Sequence, residues 1–429
     1  MRVQTILNDN NNRVYLNNMT ATVTTSIPAT IMTRLRTKFL QRPWWQQALL
    51  IAIAAIVYIY TVGFVFGARV LPSLIGWSNG IPRLTDAAPG DVPALFARWD
   101  SGYYLHIAEN GYSPNGDERA FFPLYPIVVH AVSAVWGIPL LWSGALVSVL
   151  SFISAGLLLY QWVRTDYTHA QALLATLLMY FSPMAFFFVA FYGEPLLLLT
   201  GVASLYFARR GQFLMSGIAI ALAGASRPTA FLLGLPYVIE FWQQRNFTRR
   251  QWLQFALGAA IAPLGTLAYL AFLTQQIHAS SLLAASVAVE WDEWKRYTAW
   301  PWQVLFDGLN AAIFGAGITG DWFSRLLAWH DLSYAVFALV IGIRNFTRLR
   351  LSAAMFLLAG MLFFYTMHGP YGYAFWSIPR YITALFPIYL ALALDLGRLP
   401  VQYLWLAIGA STLLLGMLAS WFVSGRWVA

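Results

Sequence analysis

The sequence contains no cysteine and very little charge. None of its 429 residues is Cys, and 10% are Asp, Glu, Lys or Arg, whereas an ordinary soluble domain carries about 25%. Without cysteine the chain can form no disulfide, no thiol nucleophile and no cysteine metal site. Because 59% of the residues are apolar, the composition excludes an ordinary soluble globular protein.

Common cofactor motifs are also missing. The sequence has no G-x-G-x-x-G after a strand, no G-x-x-x-x-G-K-[ST] loop and no H-E-x-x-H, so a nucleotide-binding domain is unsupported. No carboxylate stands two residues from Asp100, and no metal-ligand spacing occurs among the six histidines, His106, His130, His169, His278, His330 and His368. We predict no metal site, although a divalent cation could bridge Asp100, Glu109 and a phosphate.

Long apolar segments dominate the chain, and many approach or reach the roughly 20 residues that cross a bilayer. They lie at about 46–69, 121–137, 139–163, 171–190, 194–208, 212–225, 229–243, 252–273, 300–318, 331–343, 351–367, 380–395 and 401–424. We predict an all-α polytopic membrane protein, a bundle of roughly 10–13 transmembrane or partly spanning helices. Residues 1–45 form a polar cytoplasmic tail in this prediction, and 46–424 form a single transmembrane domain.

The formal charge of +9 does not indicate nucleic-acid binding, because the basic residues sit in short clusters beside apolar segments, as in cytoplasmic loops of membrane proteins. This pattern predicts cytoplasmic positions for 164–169, 209–211, 244–251, 344–350 and 396–400. It predicts external positions for 70–120, a large first loop, and for 191–194, 226–229, 274–300 and 368–379. The assignment requires that 121–137, which Pro123 and Pro126 interrupt, does not cross the membrane fully.

Acidic residues gather in the first external loop. Six of the 17 acidic residues lie within it, at Asp86, Asp91, Asp100, Glu109, Asp117 and Glu118. The pattern predicts a short helix that Asp100 caps, that starts at Ser101 and that ends at Gly111. Tyr103 and Tyr104 share a face with Asp100, whereas Glu109 lies about half a turn out of phase. The two carboxylates therefore do not form a pair on one helix.

At this stretch the sequence resembles the PIG-V-like mannosyltransferases, membrane glycosyltransferases of the GT-C type. The matching residues are Trp99-Asp100-Ser101, Tyr104, Ile107-Ala108, Gly111-Tyr112 and 121–126, followed by Ser182-Pro183, Tyr192-Gly193-Glu194, Arg227-Pro228-Thr229 and Pro379-Arg380-Tyr381. The resemblance covers roughly 98–387. The family commonly has serine at the position of Gly193, a departure that bears on the geometry of Glu194.

The resemblance implies a GT-C-like bundle, a polyprenyl-phosphate sugar donor, an inverting transfer and a functional role for Asp100. A base must lie within hydrogen-bond reach of the attacking hydroxyl, and we predict Asp100 in that role. Glu194 is the second catalytic candidate, because an ionisable group at the end of an apolar segment is a functional hypothesis by default. The alternatives are a helix cap for Asp100 and a structural loop residue for Glu194.

Arginine offers a planar set of donors that suits phosphate, so Arg227 and Arg380 are candidate phosphate ligands. The alternatives are snorkelling of the side chains to the membrane interface and a structural ion pair with Glu194 or Asp100. The full set of predicted substrate-binding residues is Trp99, Tyr103, Tyr104, Arg227, His368, Arg380 and Tyr381. The aromatic residues of 289–302, and Tyr371, Tyr373, Phe375 and Trp376, either line the same pocket or anchor the chain at the membrane interface.

Together these features predict an integral membrane glycosyltransferase, a mannosyltransferase by resemblance. It would move a hexose from a polyprenyl-phosphate sugar to a lipid-linked or cell-surface glycan on the external face. The alternatives are a lipid-linked glycan transporter and a non-catalytic membrane partner. A transporter often shows inverted repeats, and the sequence shows none. Because no retention signal is present, the predicted location is a prokaryotic plasma membrane.

Overall fold

The computed structural model describes residues 38–70, 92–113, 116–245, 247–287, 296–315, 322–369, 374–375 and 377–428. Several predictions fall outside this range. They concern most of the polar tail, the acidic residues Asp86 and Asp91, the part of the aromatic stretch at 289–295, and the aromatic residues Tyr371, Tyr373 and Trp376.

The described residues are almost entirely helical. The α-helices are α1 Trp44–Val62, α2 Ser101–Asn110, α3 Leu124–Trp136, α4 Leu140–Arg164, α5 His169–Tyr180, α6 Glu194–Arg209, α7 Phe213–Ser226, α8 Gly234–Gln244, α9 Arg249–Ile261, α10 Leu264–Gln276, α11 Leu282–Val287, α12 Pro301–Phe314, α13 Trp322–Arg344, α14 Leu351–Phe364, α15 Ile378–Ala384, α16 Pro387–Leu396 and α17 Val401–Val423. A π-helical stretch, Gly63–Val70, extends α1, and 3-10 helices form at Val92–Phe96, Asp117–Ala120, Ala185–Phe188 and Pro228–Leu233. The strands β1 Tyr297–Thr298 and β2 Met367–His368 pair antiparallel.

Membrane-spanning helices confirm the predicted polytopic helical fold. In the described part of the chain, five helical spans are long and apolar enough to cross a bilayer. They are Trp44–Gly67 (α1 with the start of the π-helical stretch), Leu140–Arg164 (α4), Arg249–Gln276 (α9 with α10), Trp322–Arg344 (α13) and Val401–Val423 (α17). A sixth span results if α15 and α16, which meet at 84°, count as one. The 13-residue α3 is about 20 Å long, short of the ~30 Å hydrocarbon core, as the prediction for 121–137 requires.

Prolines break two of the predicted apolar segments. The segment 171–190 is helical only to Tyr180, because the following Ser182-Pro183 disfavours helix continuation. The segment 380–395 bends where Pro387 begins α16. These breaks leave short helices and turns inside the bundle, and one of them, α15, carries Arg380.

Close glycine contacts hold α7 against α9. A Cβ added at Gly217 would lie 2.3 Å from the carbonyl oxygen of Gly258, so the two backbones meet as small residues allow in membrane helices. We expect Gly217→Ala to lower the free energy of unfolding by about 1–3 kcal/mol through overpacking. The control is Gly409→Ala in α17, where a Cβ meets nothing within 4 Å. Equal thermal midpoints for the two variants in detergent would contradict the tight crossing.

The two ends of α6 carry different polar clusters. Its 16 residues span about 22 Å between Glu194 and Arg209. At the far end, Arg209 donates two hydrogen bonds to Asp166, of 2.8 and 2.6 Å. Tyr167 links this end to the basic loop 344–350, since its hydroxyl donates to the Arg348 carbonyl oxygen and accepts from the Arg350 amide. Predicted cytoplasmic clusters therefore gather at the end away from Glu194.

Candidate functional site

Four charged side chains from distant parts of the sequence meet inside the bundle. Asp100 directly precedes α2, Glu194 is the first residue of α6, Arg227 follows α7, and Arg380 lies on α15. We call these four residues the charged cluster. It contains both predicted catalytic carboxylates and both predicted phosphate ligands.

Arg380 connects the two carboxylates of the charged cluster. Its Nη1 donates to Asp100 Oδ2 at 2.8 Å, and its Nε lies 2.9 Å from Glu194 Oε1. Arg227 Nη2 donates to the same Glu194 oxygen. The side chains of Glu194 and Arg380 are only 2% and 3% exposed. Two acids and two arginines cancel in charge, which is how buried ions are tolerated.

Aromatic rings enclose the Arg380 guanidinium. Its carbon lies 5.4 Å from the ring centroids of Phe187, Tyr192 and Tyr381 and 5.9 Å from that of Trp427. Such cation–π contacts stabilise a guanidinium that is withdrawn from water. Arg227 also lies 5.4 Å from the Tyr381 ring, so Tyr381 contacts both arginines.

Several buried polar atoms around the charged cluster have no hydrogen-bond partner among the residues that the structure describes. They are Glu194 Oε2, Arg227 Nε, Ser101 Oγ and the indole nitrogen of Trp99. Buried polar groups in native proteins are nearly always paired with protein, water or ligand. Their concentration beside the charged cluster indicates capacity for a polar ligand.

A mainly apolar cavity opens beside the charged cluster. Glu194, Arg227 and Arg380 contribute its charged wall together with Tyr381. The rest of the lining is largely apolar and includes Leu197, Leu232, Leu233, Phe356, Leu385 and Phe386. A cavity with charge on one wall and hydrocarbon on the others suits a ligand that has a charged head and an apolar tail.

Asp100 does not cap α2, which corrects one sequence expectation. The helix begins at Ser101 and Gly111 follows it with a φ of 78°, as predicted. However, Asp100 has helical backbone angles, φ −56° and ψ −21°, and makes no side-chain cap hydrogen bond. A capping residue typically has extended angles. The Asp100 carboxylate is instead turned toward Arg380.

The turn before Asp100 is strained and is held by Tyr192. Trp99 has a φ of 55°, which is uncommon for a bulky residue. The Tyr192 hydroxyl accepts a hydrogen bond from the Asp100 amide at 3.2 Å and donates one to the Arg98 carbonyl oxygen at 3.0 Å. Tyr192 thus bridges both neighbours of Trp99. Strain of this kind persists only where the surroundings fix it, and it concentrates at functional sites.

For the sugar transfer that the sequence predicts, we expect Tyr192→Phe to lower kcat about tenfold with little change in KM, because the Asp100 turn loses both hydrogen bonds. Net hydrogen bonds contribute about 0.5–1.5 kcal/mol each. The measurement is steady-state kinetics with purified protein. The control is Tyr180→Phe, which removes a hydroxyl that donates to the Ile153 carbonyl oxygen. Equal kinetics in the two variants would show that Tyr192 does not position Asp100.

Glycine at position 193, where the family commonly has serine, leaves Glu194 in place. A Cβ at Gly193 would lie 2.9 Å from the Tyr104 hydroxyl, so glycine makes room for this buried side chain. Burial raises the pKa of Tyr104, while Arg227 opposes the shift, and the phenol stays protonated. Glu194 still starts α6, with Pro195 in the first turn.

Other predicted substrate-binding residues lie in different surroundings. Tyr103 stacks on Phe121 with centroids 4.6 Å apart. His368 has its Nε2 3.4 Å from Asp307 Oδ2, and its ring stacks on Tyr297. The β1–β2 pairing explains this, because it sets Tyr297 opposite His368.

Among the described residues, Asp100 and Glu109 are not arranged to share a metal ion. Glu109 is exposed, whereas Asp100 is paired with Arg380. The described part of the chain contains no group of three or more His, Asp or Glu side chains arranged to hold a metal ion.

Sequence reasoning missed the roles of Tyr192, Phe187 and Trp427. Tyr192 belongs to the matched motif Tyr192-Gly193-Glu194, so that motif carried a usable signal. Phe187 lies in an apolar run, and Trp427 is followed in the sequence only by Val428 and Ala429. No pattern singles out either ring as a partner of Arg380.

Comparisons with known sequences match the region that holds most of the charged cluster. The family model described as Mannosyltransferase (PIG-V) matches residues 83–295. Two similar relatives are GPI mannosyltransferase 2 of Drosophila pseudoobscura pseudoobscura, 36% identical over 106 residues, and that of Drosophila melanogaster, 37% identical over 107. Each match spans 22% of this chain and 23% of the relative. Both are insect proteins, so they give no support to a prokaryotic plasma membrane.

Comparison with solved structures confirms the predicted fold class. The crystal structure of ArnT from Cupriavidus metallidurans bound to undecaprenyl phosphate superposes with a TM-score of 0.51, at 15% identity over 86% of this chain and 62% of ArnT. At this identity the likeness concerns the fold alone, which is that of the GT-C glycosyltransferases. The resemblance noted around Asp100 is thus confirmed: residues 83–295 carry the PIG-V mannosyltransferase pattern, in a multi-pass membrane protein with a GT-C-like fold.

Proposed function

We propose that this protein transfers mannose from a polyprenyl-phosphate donor to a lipid-linked or cell-surface glycan, with inversion at the anomeric carbon. The observation that carries the proposal is the cavity in which Arg227, Arg380 and Glu194 form one wall and apolar side chains form the others. A polyprenyl phosphate has the same division, with one charged head and a long hydrocarbon tail. ArnT, which has a similar fold, was crystallised bound to undecaprenyl phosphate, a lipid of this class.

The two arginines bind the donor phosphate in this mechanism. A guanidinium forms charge-assisted hydrogen bonds with phosphate oxygens, and Arg227 Nε is buried without a partner in the described structure. Arg380 already binds Asp100 and Glu194, so an arriving phosphate competes with Asp100 for it. Donor binding would therefore release the Asp100 carboxylate at the moment when a base is needed.

Asp100 is the proposed general base. Its carboxylate takes the proton of the acceptor hydroxyl while that oxygen attacks the anomeric carbon from the face opposite the phosphate. The bond between the anomeric carbon and the phosphate oxygen breaks, and the polyprenyl phosphate leaves with the bonding electrons. Arg227 and Arg380 stabilise the charge that develops on the leaving oxygen.

Glu194 has two proposed roles. One oxygen, Oε1, binds both arginines and fixes their spacing. The other, Oε2, is buried without a partner in the described structure, and we assign it to a hydroxyl group of the transferred sugar. A carboxylate oxygen accepts such hydrogen bonds readily.

The proposed site faces the external side of the membrane. Glu194 begins α6, and the cluster of Arg209 with Asp166 lies at its other end, about 22 Å away. Basic loops favour the cytoplasm, which supports the opposite side for the charged cluster. The assignment of the charged cluster to the external side therefore rests on the Arg209 cluster at the opposite end of α6.

The test is transfer by purified protein in liposomes supplied with a glycolipid extract and one radiolabelled donor at a time. We expect label to reach acceptor from polyprenyl-phosphate mannose and not from GDP-mannose, with polyprenyl-phosphate glucose as the sugar control. Loss of transfer in Arg227→Ala would tie the activity to the cavity. Transfer from GDP-mannose alone would refute the lipid donor, and movement of the lipid across the bilayer without transfer would favour a transporter.

A further inference from the structure

A second cavity lies between α13 and α17 and shares no lining residue with the first. Its volume is about 200 Å³, and its wall includes Leu326, Trp329, His330, Ser333, Leu414 and Trp421. The two helices meet here through Phe323 and Trp421, whose ring centroids are 5.2 Å apart. Both helices are long and apolar enough to cross the membrane, so the cavity lies at membrane depth.

The ionisable residue His330 lines this cavity and pairs with Asp331 behind it, and the proposed transfer reaction uses neither. His330 Nδ1 lies 2.9 Å from Asp331 Oδ1, and the Asp331 side chain is 5% exposed. Ionisable residues inside membrane-spanning helices are rare and mark functional sites by default. The pair therefore calls for a function of its own.

The Asp331 carboxylate fixes what His330 offers to the cavity. With a carboxylate oxygen accepting at Nδ1, an uncharged ring would carry its proton there and leave Nε2 as a hydrogen-bond acceptor. Nε2 is buried and has no partner in the described structure. Ser333 stands three residues further along α13, on the same face, and also lines the cavity. The Ser333 hydroxyl can donate a hydrogen bond to the same ligand group that donates one to His330 Nε2.

The position of His330 inside a membrane-spanning helix favours a neutral ligand over a charged one. It is the ninth residue of the 23-residue α13, about 12 Å along the helix from its start. A phosphate drawn to this depth would have to leave the aqueous interface, which is very costly for an unpaired charge. A single hydroxyl is far cheaper to bury, and His330 with Ser333 can satisfy both its donor and its acceptor.

We propose that the cavity between α13 and α17 binds a neutral lipid alcohol. The lipid hydroxyl donates to His330 Nε2 and accepts from Ser333, while its hydrocarbon chain packs on Leu326, Leu414 and Trp421. Diacylglycerols and free polyprenols both have this chemistry. The site is independent of the proposed transfer reaction, since it shares no residue with the charged cluster.

The test is photo-crosslinking of the full-length protein in liposomes with diazirine-bearing lipids. One probe is a diacylglycerol and the other a polyprenol, each beside its O-methyl ether, which cannot donate a hydrogen bond. Mass spectrometry then maps labelled peptides. We expect labelling of α13 and α17 around His330 and Leu414, about fivefold stronger with an alcohol than with its ether, the effect of one hydrogen bond. The probe that shows this ratio identifies the source.

His330→Phe should reduce the ratio of alcohol to ether labelling to about one, while the thermal midpoint reports folding. Because this change leaves Asp331 buried without its partner, His330→Phe with Asp331→Asn is the second variant, in which no charge is stranded. Labelling elsewhere, no labelling, or equal labelling by alcohol and ether in the wild type would overturn the proposal. So would a ratio unchanged in the folded double variant.

Discussion

Replacing Asp100 by Asn is expected to lower the rate of mannose transfer about 10²- to 10⁴-fold, the usual contribution of a positioned general base. Asparagine has nearly the same shape and still accepts a hydrogen bond from Arg380, but it cannot take a proton from the acceptor hydroxyl. The measurement is initial rate under saturating polyprenyl-phosphate mannose. Donor binding should persist, because the two arginines remain.

The matched control is Glu109→Gln, the same change of charge on the same helix. Glu109 is exposed, and it lies about half a turn away from Asp100 around α2. We expect this variant to transfer mannose at the wild-type rate. A fully active Asp100→Asn, with transfer lost in Glu109→Gln, would move the base to the other face of the helix and contradict the geometry of the charged cluster.

Replacing Arg380 by Ala is expected to raise the KM for the donor about 10- to 100-fold. This is the range of one or two hydrogen bonds to a charged group, about 1.5–3 kcal/mol in total. The change also leaves Asp100 without its arginine and Glu194 with Arg227 alone, and removal of one partner from a buried pair costs about 3–5 kcal/mol. The midpoint of thermal unfolding should therefore fall, and the KM for the donor should rise, in the same variant.

A double variant separates the two effects of Arg380. In Asp100→Asn with Arg380→Gln, one negative and one positive charge disappear together, so Glu194 and Arg227 remain as a balanced pair. We expect its thermal midpoint to recover above that of Arg380→Ala while transfer stays absent. Recovery of transfer in this variant would show that Asp100 and Arg380 serve only to stabilise the fold.

The sequence allowed the polytopic helical fold and the members of the charged cluster to be predicted. Apolar runs of about 20 residues reveal membrane helices directly, and α2 begins at Ser101 as its local pattern indicates. Glu194, Arg227 and Arg380 were recognisable as charged residues at the edges of apolar segments, and Asp100 as part of an acidic polar loop. Their residue types predicted their chemistry, and the neighbouring basic clusters predicted their side of the membrane, which stays a prediction.

The ion pairs inside the charged cluster were one alternative for its arginines, and the sequence could not decide in their favour. Asp100 and Arg380 are 280 residues apart in sequence, and a local pattern assigns Asp100 to a helix cap with equal ease. The broken helix α15–α16, bent by 84°, decides that Arg380 points into the bundle. The neighbours of His368 could not be predicted for the same reason, because the pairing of β2 with β1 sets Tyr297 opposite it. Long-range packing, which no local pattern encodes, makes these choices.

The most direct test of the charged cluster is an experimental structure of the protein bound to undecaprenyl phosphate. The account predicts phosphate oxygens within about 3 Å of the guanidinium groups of Arg227 and Arg380, at hydrogen-bond distance. It also predicts a broken contact between Arg380 and Asp100, with the lipid tail along Leu232 and Phe356. A phosphate bound instead at the Arg348 and Arg350 end, with the charged cluster unchanged, would contradict it.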